Sequence, residues 1–375
     1  MPDAHGYHPN RHRPSLARTL MRGAYAARQV ARFGWFTGQR LAIERMAGRD
    51  DTRAADAGGV DASRPAGRPA GANLVAGIRD LFARDLANAE SGYYPLPRDA
   101  DGTPMQMLAR ARAMFADLPT SNRRRLEDDG QEVFRELRAQ GEASGLPRYY
   151  LQNFHFQTDG YLSDGSARLY DTQVEVLFNG TANAMRRQAL VPVAQFIEGR
   201  DQRKLQLTDV ACGTGRYLRM LREAFPRLRL TGIDLSESYL REARRHIGSR
   251  YPVRLVMGNA EALPLPDESQ DIVTSVFLYH ELPAKVRRVV AGEFARVLRP
   301  GGILVFTDSL QIGDVDGYDK VLESFPGRFH EPYYDGYIRD DLDTLFGAAG
   351  LQPVSHAPAF LSKVSVYCKG QPVGA

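Results

Sequence analysis

The sequence predicts an α/β domain built on a doubly wound, largely parallel sheet, with a helical layer and a basic tail ahead of it. Three observations predict this. Residues 205–234, LQLTDVACGTGRYLRMLREAFPRLRLTGID, read as a buried strand, a small-residue turn, an amphipathic helix and a second strand, which is one βαβ unit. Strand-like and helix-like segments keep alternating from there to residue 310, the order that gives parallel strands joined by crossover helices. The first 75 residues differ in kind, with twelve Arg against six Asp or Glu, a net +6 where the whole chain carries only +4, so the rest is slightly acidic.

Composition sets the outer bounds. A chain of 375 residues, 43% of them apolar, can hold one large domain and an accessory one around a buried core. No run of eighteen apolar residues occurs, which excludes a spanning helix. With only Cys212 and Cys368 there is no disulfide framework, and a reducing, cytoplasmic setting is expected.

Residues 1–73 read as a basic low-complexity tail and linker. Positions 1–14 are irregular. Positions 15–46 have helical character, with Arg18, Arg22, Arg28 and Arg32 among Leu16, Leu20, Tyr25, Val30 and Phe33, and they lack the apolar core of a secretory signal. The expectation is a solvated, partly ordered and otherwise disordered extension. An interfacial helix touching an anionic membrane and an organelle presequence are the alternatives. Positions 48–73, rich in Gly, Ala, Asp and Arg, read as a linker.

Residues 74–180 are expected to form a helical accessory and substrate-lid region. Leu74, Ile78, Leu81, Phe82 and Leu86 trace one helical face, and further helices are expected over 104–117 and 121–143. The segment 148–190 then crowds Tyr149, Tyr150, Phe154, His155, Phe156, Tyr161 and Tyr170 just ahead of the βαβ unit. Aromatic rings with polar tips suit a flat organic ligand, and they equally suit a docking surface for helices.

A helix over 181–197 leads into the first strand. In the turn after it, Gly213 and Gly215 lack Cβ and accept φ > 0, so backbone can approach a ligand, while the next helix aims free amides at the same place. Asp234, about twenty residues on, stands where a carboxylate can accept both hydroxyls of a ribose. Ser236 caps a helix over 237–247, a strand over 253–257 ends at Gly258, and another covers 271–277. A helix over 284–298 is stopped by Pro300, and Gly301-Gly302 turn the chain into a strand over 303–307. Residues 310–342 read as an insertion, followed by a helix over 340–349 and two final antiparallel strands.

The segments GIDLS (232–236), GNAEALPLPDESQDIV (258–273), FLYHELP (277–283) and LRPGGILVFTD (298–308), together with Asp209, Ala211, Gly213 and Gly215, resemble in order and spacing the motifs of class I S-adenosylmethionine-dependent methyltransferases. The resemblance covers roughly residues 195–310 and is closest to small-molecule members such as the ubiquinone and menaquinone biosynthesis group. It implies a Rossmann-like, seven-stranded mixed sheet over 181–375 and S-adenosyl-L-methionine as methyl donor. By that resemblance the donor site comprises Asp209, Ala211, Gly213, Gly215, Asp234, Leu235, Asn259, Ala260 and Phe277. Asn259 departs from the family's usual Asp, keeping an acceptor for the adenine amine without its charge.

Methyl transfer from a sulfonium is an in-line displacement, so alignment and exclusion of water are the protein's main work. An acceptor that loses a proton needs a base, for which His280, with Glu281 orienting it or facing solvent, and His330 are the candidates. His155, Tyr161, Tyr170, Tyr333 and Tyr334 are the expected acceptor-side contacts. His330 and Glu331 make no metal-ligand set, so no metal is expected. The expected partner is a small acceptor (quinone-like, phenolic, polyketide or lipid) methylated on O or C. Nucleic acid is not expected, because Tyr-His-Glu-Leu-Pro stands where base N-methylating members carry Asn/Asp-Pro-Pro-aromatic. An RNA or protein methyltransferase and a non-catalytic donor-binding module are the alternatives. A nicotinamide oxidoreductase is disfavoured, since Leu218 replaces the third glycine of G-x-G-x-x-G. Oligomeric state is not set by the sequence.

Overall fold

The computed structural model describes residues 16–56, 71–99, 101–127, 131–140, 145–156, 158–249, 252–326 and 329–370. Seven strands form one sheet: β1 (Gln206–Val210), β2 (Arg229–Asp234), β3 (Arg254–Met257), β4 (Gln270–Val276), β5 (Leu298–Ser309), β6 (Leu351–Ala359) and β7 (Ser362–Lys369). Their order is β3-β2-β1-β4-β5-β7-β6, with β1 to β5 parallel and β7 antiparallel to both β5 and β6. The chain winds outward from β1 to β3, returns, and continues from β4 on the other side. The β1/β4 boundary is therefore the switch point where such sheets open a crevice at the strands' carboxyl ends.

The inner strands are buried on both faces, their polar Thr208, Asp209, Thr274 and Ser275 included. One face packs Tyr279, Phe294, Phe306, Phe346 and Tyr367 beneath α10 (Ala284–Val297) and α13 (Leu342–Ala348). The other packs Leu207, Leu218, Leu221, Leu240 and Ile272 beneath α7 (Leu190–Ile197), α8 (Arg216–Ala224) and α9 (Glu237–Ile247). Strand β6 is exposed along its middle and carries Pro353 and Pro358, which suits a sheet edge.

Several boundaries move for backbone reasons. The helix expected over 181–197 is two, α6 (Ala182–Gln188) and α7, because Pro192 has no N–H to offer the Gln188 carbonyl. The helices expected over 104–117 and 121–143 become α3 (Pro104–Glu127), which continues through Pro119, and α4 (Glu132–Gln140). Two more, α5 (Asp164–Leu177) and α2 (Gly71–Glu90), complete the accessory layer, and the 310–342 insertion contributes the short α11 (Asp319–Glu323) and α12 (Tyr334–Ile338).

The N-terminal expectation needs correction. Residues 16–56 are one helix, α1 (Leu16–Asp56), which buries Tyr25, Gln29, Arg32, Phe36 and Gln39 against the body rather than extending into solvent. Arg32 reaches Asp101 at 2.6 Å, Glu175 at 3.1 Å and the Gly180 carbonyl at 2.9 Å. Tyr25 donates to Asp85 at 2.5 Å and Gln29 to Asp99 at 2.7 Å. Arg187 of α6 holds the same two aspartates, at 2.7 Å to Asp85 and 2.5 Å to Asp99. Several arginines that made this stretch look like a soluble tail therefore dock it. Of the expected linker, 48–56 continue α1 and 71–73 open α2, while 57–70, like the tail positions 1–15, lie outside the described residues.

Candidate functional site

The carboxyl ends of β1, β2 and β4 and the loop after β3 enclose a cleft of about 800 Å³, its open mouth included. Strain marks its floor. Ala211 after β1 has φ +58° and Phe277 after β4 has φ +62°, a region side-chain-bearing residues rarely occupy. Both positions turn the chain off the sheet at the edge of the crevice, and both line it.

Asp234 ends β2 and faces that backbone. Its Oδ2 accepts the Gly213 amide at 2.7 Å and its Oδ1 the Ser236 amide at 2.8 Å. Each oxygen keeps a further lone pair for a ligand. Burial raises the carboxyl to about 6 against the pull of those amides. Ser236 caps α9 and gives its hydroxyl to the Tyr161 carbonyl at 2.6 Å, and Ser238 donates to the Leu162 carbonyl at 2.9 Å. The accessory region is thereby fastened to the helix that follows the acidic strand end.

Of the expected donor-site residues, Ala211, Gly213, Asp234, Leu235, Asn259, Ala260 and Phe277 all line the cleft. Asp209 lies beneath it, buried in β1, with Thr274 donating to its Oδ1 at 2.7 Å. Desolvation is the main reason its carboxyl rises to about 7. Gly215 is not a lining residue either. A Cβ there would stand 3.0 Å from Ala243 Cβ and 3.1 Å from Ile247 Cδ1, so its bareness lets α8 and α9 pack closely rather than admitting a ligand. The Asn259 Oδ1 accepts the Glu261 amide at 3.0 Å, and Tyr149 donates to Glu261 Oε1 at 2.7 Å, tying the loop after β3 to the accessory layer.

Of the residues expected to contact an acceptor, Tyr161 and Tyr170 line the cleft, together with Tyr149, Tyr150, Phe154 and Tyr239. The rings of Phe154 and Tyr161 stack at 5.3 Å, and Tyr239 stands edge-on to Tyr161 at 5.5 Å and to Tyr170 at 5.4 Å. His155, Tyr333 and Tyr334 are not among the lining residues. Tyr334 is held in the core by Ser309 at 2.8 Å, and the Tyr333 carbonyl accepts from Arg287 at 3.0 Å.

The two candidate bases are also set back. His280 is buried in the turn after β4, its Nδ1 2.5 Å from Asp308 Oδ1, and Asp308 Oδ2 accepts the Tyr279 amide at 2.7 Å. Burial opposes the imidazolium, but Asp308, Glu331 and Glu281 together outweigh it and raise His280 to about 10. A charged imidazole is a poor proton acceptor. His330 pairs with Gln152 at 3.3 Å and belongs with His155, whose amide donates to the His330 carbonyl at 3.3 Å. Burial, then the neighbouring His280 and His330, push His155 down to about 3. Its Nε2 lies 3.1 Å from Glu331 Oε1, yet the buried Glu331 carboxylate oxygens make no hydrogen bond, so this proximity is not a formed pair.

Glu281 is the residue whose place the sequence left open. It lines the cleft, accepts from Tyr161 at 2.6 Å, and lies 3.8 Å from His280. Burial raises its carboxyl, with His280 and the Tyr161 hydroxyl opposing. Tyr239 was likewise missed, although its place three residues after the capping Ser236 turns it toward the crevice. Among the described residues no cluster of His, Cys, Asp and Glu could hold a metal, and no helix is long and apolar enough to cross a membrane.

Residues 207–302 match a family described as a methyltransferase domain. The chain is 34% identical over 165 residues to a ubiquinone/menaquinone biosynthesis C-methyltransferase UbiE of Methylobacterium nodulans, covering 43% of this chain and 63% of that one. It is 35% identical over 129 residues to a demethylmenaquinone methyltransferase of Listeria welshimeri, covering 34% and 53%. A malonyl-[acyl-carrier protein] O-methyltransferase of Methylococcus capsulatus is 38% identical over 102 residues, 27% of this chain and 36% of that one. The chain thus spans less than two thirds of the length of these curated relatives. With the strand order and the strand-end aspartate already in place, the conclusion is that this chain carries a class I S-adenosylmethionine-dependent methyltransferase domain.

Proposed function

We propose that the chain transfers the methyl group of S-adenosyl-L-methionine to an oxygen or carbon of a small organic acceptor of quinone-like, phenolic, polyketide or lipid class. The observation that carries this reading is the placement of Asp234, the Ala211–Gly213 turn and the Asn259–Ala260 loop around one cleft whose remaining wall is aromatic. Those groups fit the donor. The Asp234 oxygens have lone pairs left for ribose hydroxyls, and Leu235 and Ala260 offer apolar surface for an adenine ring.

The donor supplies a methyl group already activated on a sulfonium, so the chain's own work is positional. Phe277 and Leu278, beyond the β4 end, limit where an acceptor can lie, and the Tyr150, Phe154, Tyr161 and Tyr170 rings exclude water. The relatives support the acceptor class, since one is named for methylating carbon and another for methylating oxygen.

Two measurements test the reading. Calorimetry with S-adenosylmethionine and S-adenosylhomocysteine should give saturable binding. Cell extract incubated with the protein and isotope-labelled donor should yield a labelled small molecule by mass spectrometry. Label found only in RNA or protein, or no donor binding by folded protein, overturns it.

A further inference from the structure

We propose that Glu281, held by Tyr161 at the cleft wall, takes the proton that the acceptor loses, and that the acceptor is therefore a neutral molecule with an acidic O–H or C–H. This rests on the methyl-transfer reading above and goes beyond it in naming the base and the charge of the acceptor.

The argument starts from the charges the cleft presents. Among the described residues lining it, the charged side chains are Asp234 and Glu281, both carboxylates, and no Lys, Arg or His joins them. An acceptor carrying carboxylate or phosphate would sit beside two negative groups with no cation to meet it. A neutral acceptor meets no such repulsion, and the sulfonium of the donor is the cation the carboxylates suit. Asp234 is occupied by the Gly213 and Ser236 amides at the ribose end. Glu281 is the carboxylate left on the aromatic side, where the acceptor must enter.

Its surroundings hold it in place and keep it a proton acceptor. Tyr161 fixes Oε1 at 2.6 Å, leaving the second oxygen for a ligand. From the 3-10 turn Tyr279–Glu281, His280 stands 3.8 Å away, itself locked by Asp308 of β5. Asp308 of β5 and Asp234 of β2 add negative charge, the Glu331 carboxyl of the insertion, itself raised by burial, lies near, and Tyr150, Tyr170 and Tyr239 face the group from the accessory layer and α9. Burial raises the proton affinity of Glu281, Asp308 and Asp234 add to the rise, and His280 and the Tyr161 hydroxyl oppose it. Neither histidine can do this work, because His280 already carries its proton and His330 is not among the lining residues.

The step balances. The acceptor's X–H bond breaks and its proton bonds to Glu281. The electron pair left on X forms the bond to the methyl carbon, and the carbon–sulfur pair leaves on sulfur as a neutral thioether. One positive and one negative charge disappear together, so a dry cleft favours the transfer.

The test uses the full chain and needs no identified acceptor. S-adenosylmethionine and the uncharged thioether S-adenosylhomocysteine are bound near pH 7 in two buffers of different ionisation heat, and the protons exchanged are read by calorimetry. A sulfonium facing Glu281 lowers its proton affinity, so the native chain should release more protons with the sulfonium than with the thioether. Contributions from Asp234 are common to both ligands and cancel. In Glu281→Gln the difference should vanish while the uncharged thioether still binds, and label transfer to extract metabolites should fall about 10²–10⁴-fold. A difference that persists in Glu281→Gln overturns the proposal, as does full label transfer by that variant. Should Glu281→Gln fail to fold, Tyr161→Phe removes the hydrogen bond and should move the extra release to higher pH, and an unmoved profile overturns it equally. Absence of donor binding by the native chain would instead sink the methyl-transfer reading itself.

Discussion

The Gly213 amide donates to Asp234 Oδ2 at 2.7 Å, and this bond joins the turn after β1 to the end of β2. It makes the cleft a property of two strands acting together. Asp234→Ala removes the ribose acceptor and leaves the Gly213 and Ser236 amides without theirs. Donor affinity should fall by about 1–3 kcal/mol in calorimetry on a folded variant. An unchanged dissociation constant would take Asp234 out of the donor site.

Asp209 gives a pH dependence with a definite sign. Its carboxyl is raised to about 7 in the fold, mainly by burial, whereas an unfolded Asp titrates at about 3.9. Between those values the folded chain binds the extra proton, so the stability contribution is full below about 3.9 and is lost as pH rises through about 7. Asp234, raised to about 6, acts in the same direction. Urea midpoints of the native chain should therefore decline across this window. Asp209→Asn should decline less, and parallel curves would remove Asp209 as a contributor.

The two glycines of the turn should separate in a stability assay. At Gly215 an added Cβ meets Ala243 and Ile247 at φ +74°, and overpacking of this kind costs about 1–3 kcal/mol. At Gly213 the nearest atom is Tyr239 Cδ1 at 4.0 Å, so Ala there carries only the strain of φ +53°, about 1 kcal/mol. Gly215→Ala should be the more destabilising in denaturant unfolding, and Gly213→Ala should weaken donor binding more.

Arg32 secures α1 to the body. Arg32→Ala removes the buried cation held against Asp101 and Glu175, and breaking such a pair costs about 3–5 kcal/mol. Limited proteolysis should then cut within residues 16–56 far faster than in the native chain. Arg22→Ala, which removes the half-exposed pair with Glu90, should leave the proteolysis rate unchanged.

The sequence alone determined the sheet and most of the strand-end positions that line the cleft. Strand runs, the small-residue turn and Asp234 are local signals, and a βαβ unit of about thirty residues leaves few ways to close. Seven of the nine expected donor-site positions line the cleft for that reason. The tertiary structure decided the rest, because burial is set by what packs on a residue from far away. Arg32 reads as a tail charge until Asp101 and Glu175 are brought against it. His280 reads as a free base until Asp308, 28 residues on, takes its Nδ1. Glu281 reads as a surface carboxylate until Tyr161, 120 positions earlier, closes over it and desolvates it, and no pattern local to FLYHELP records that meeting.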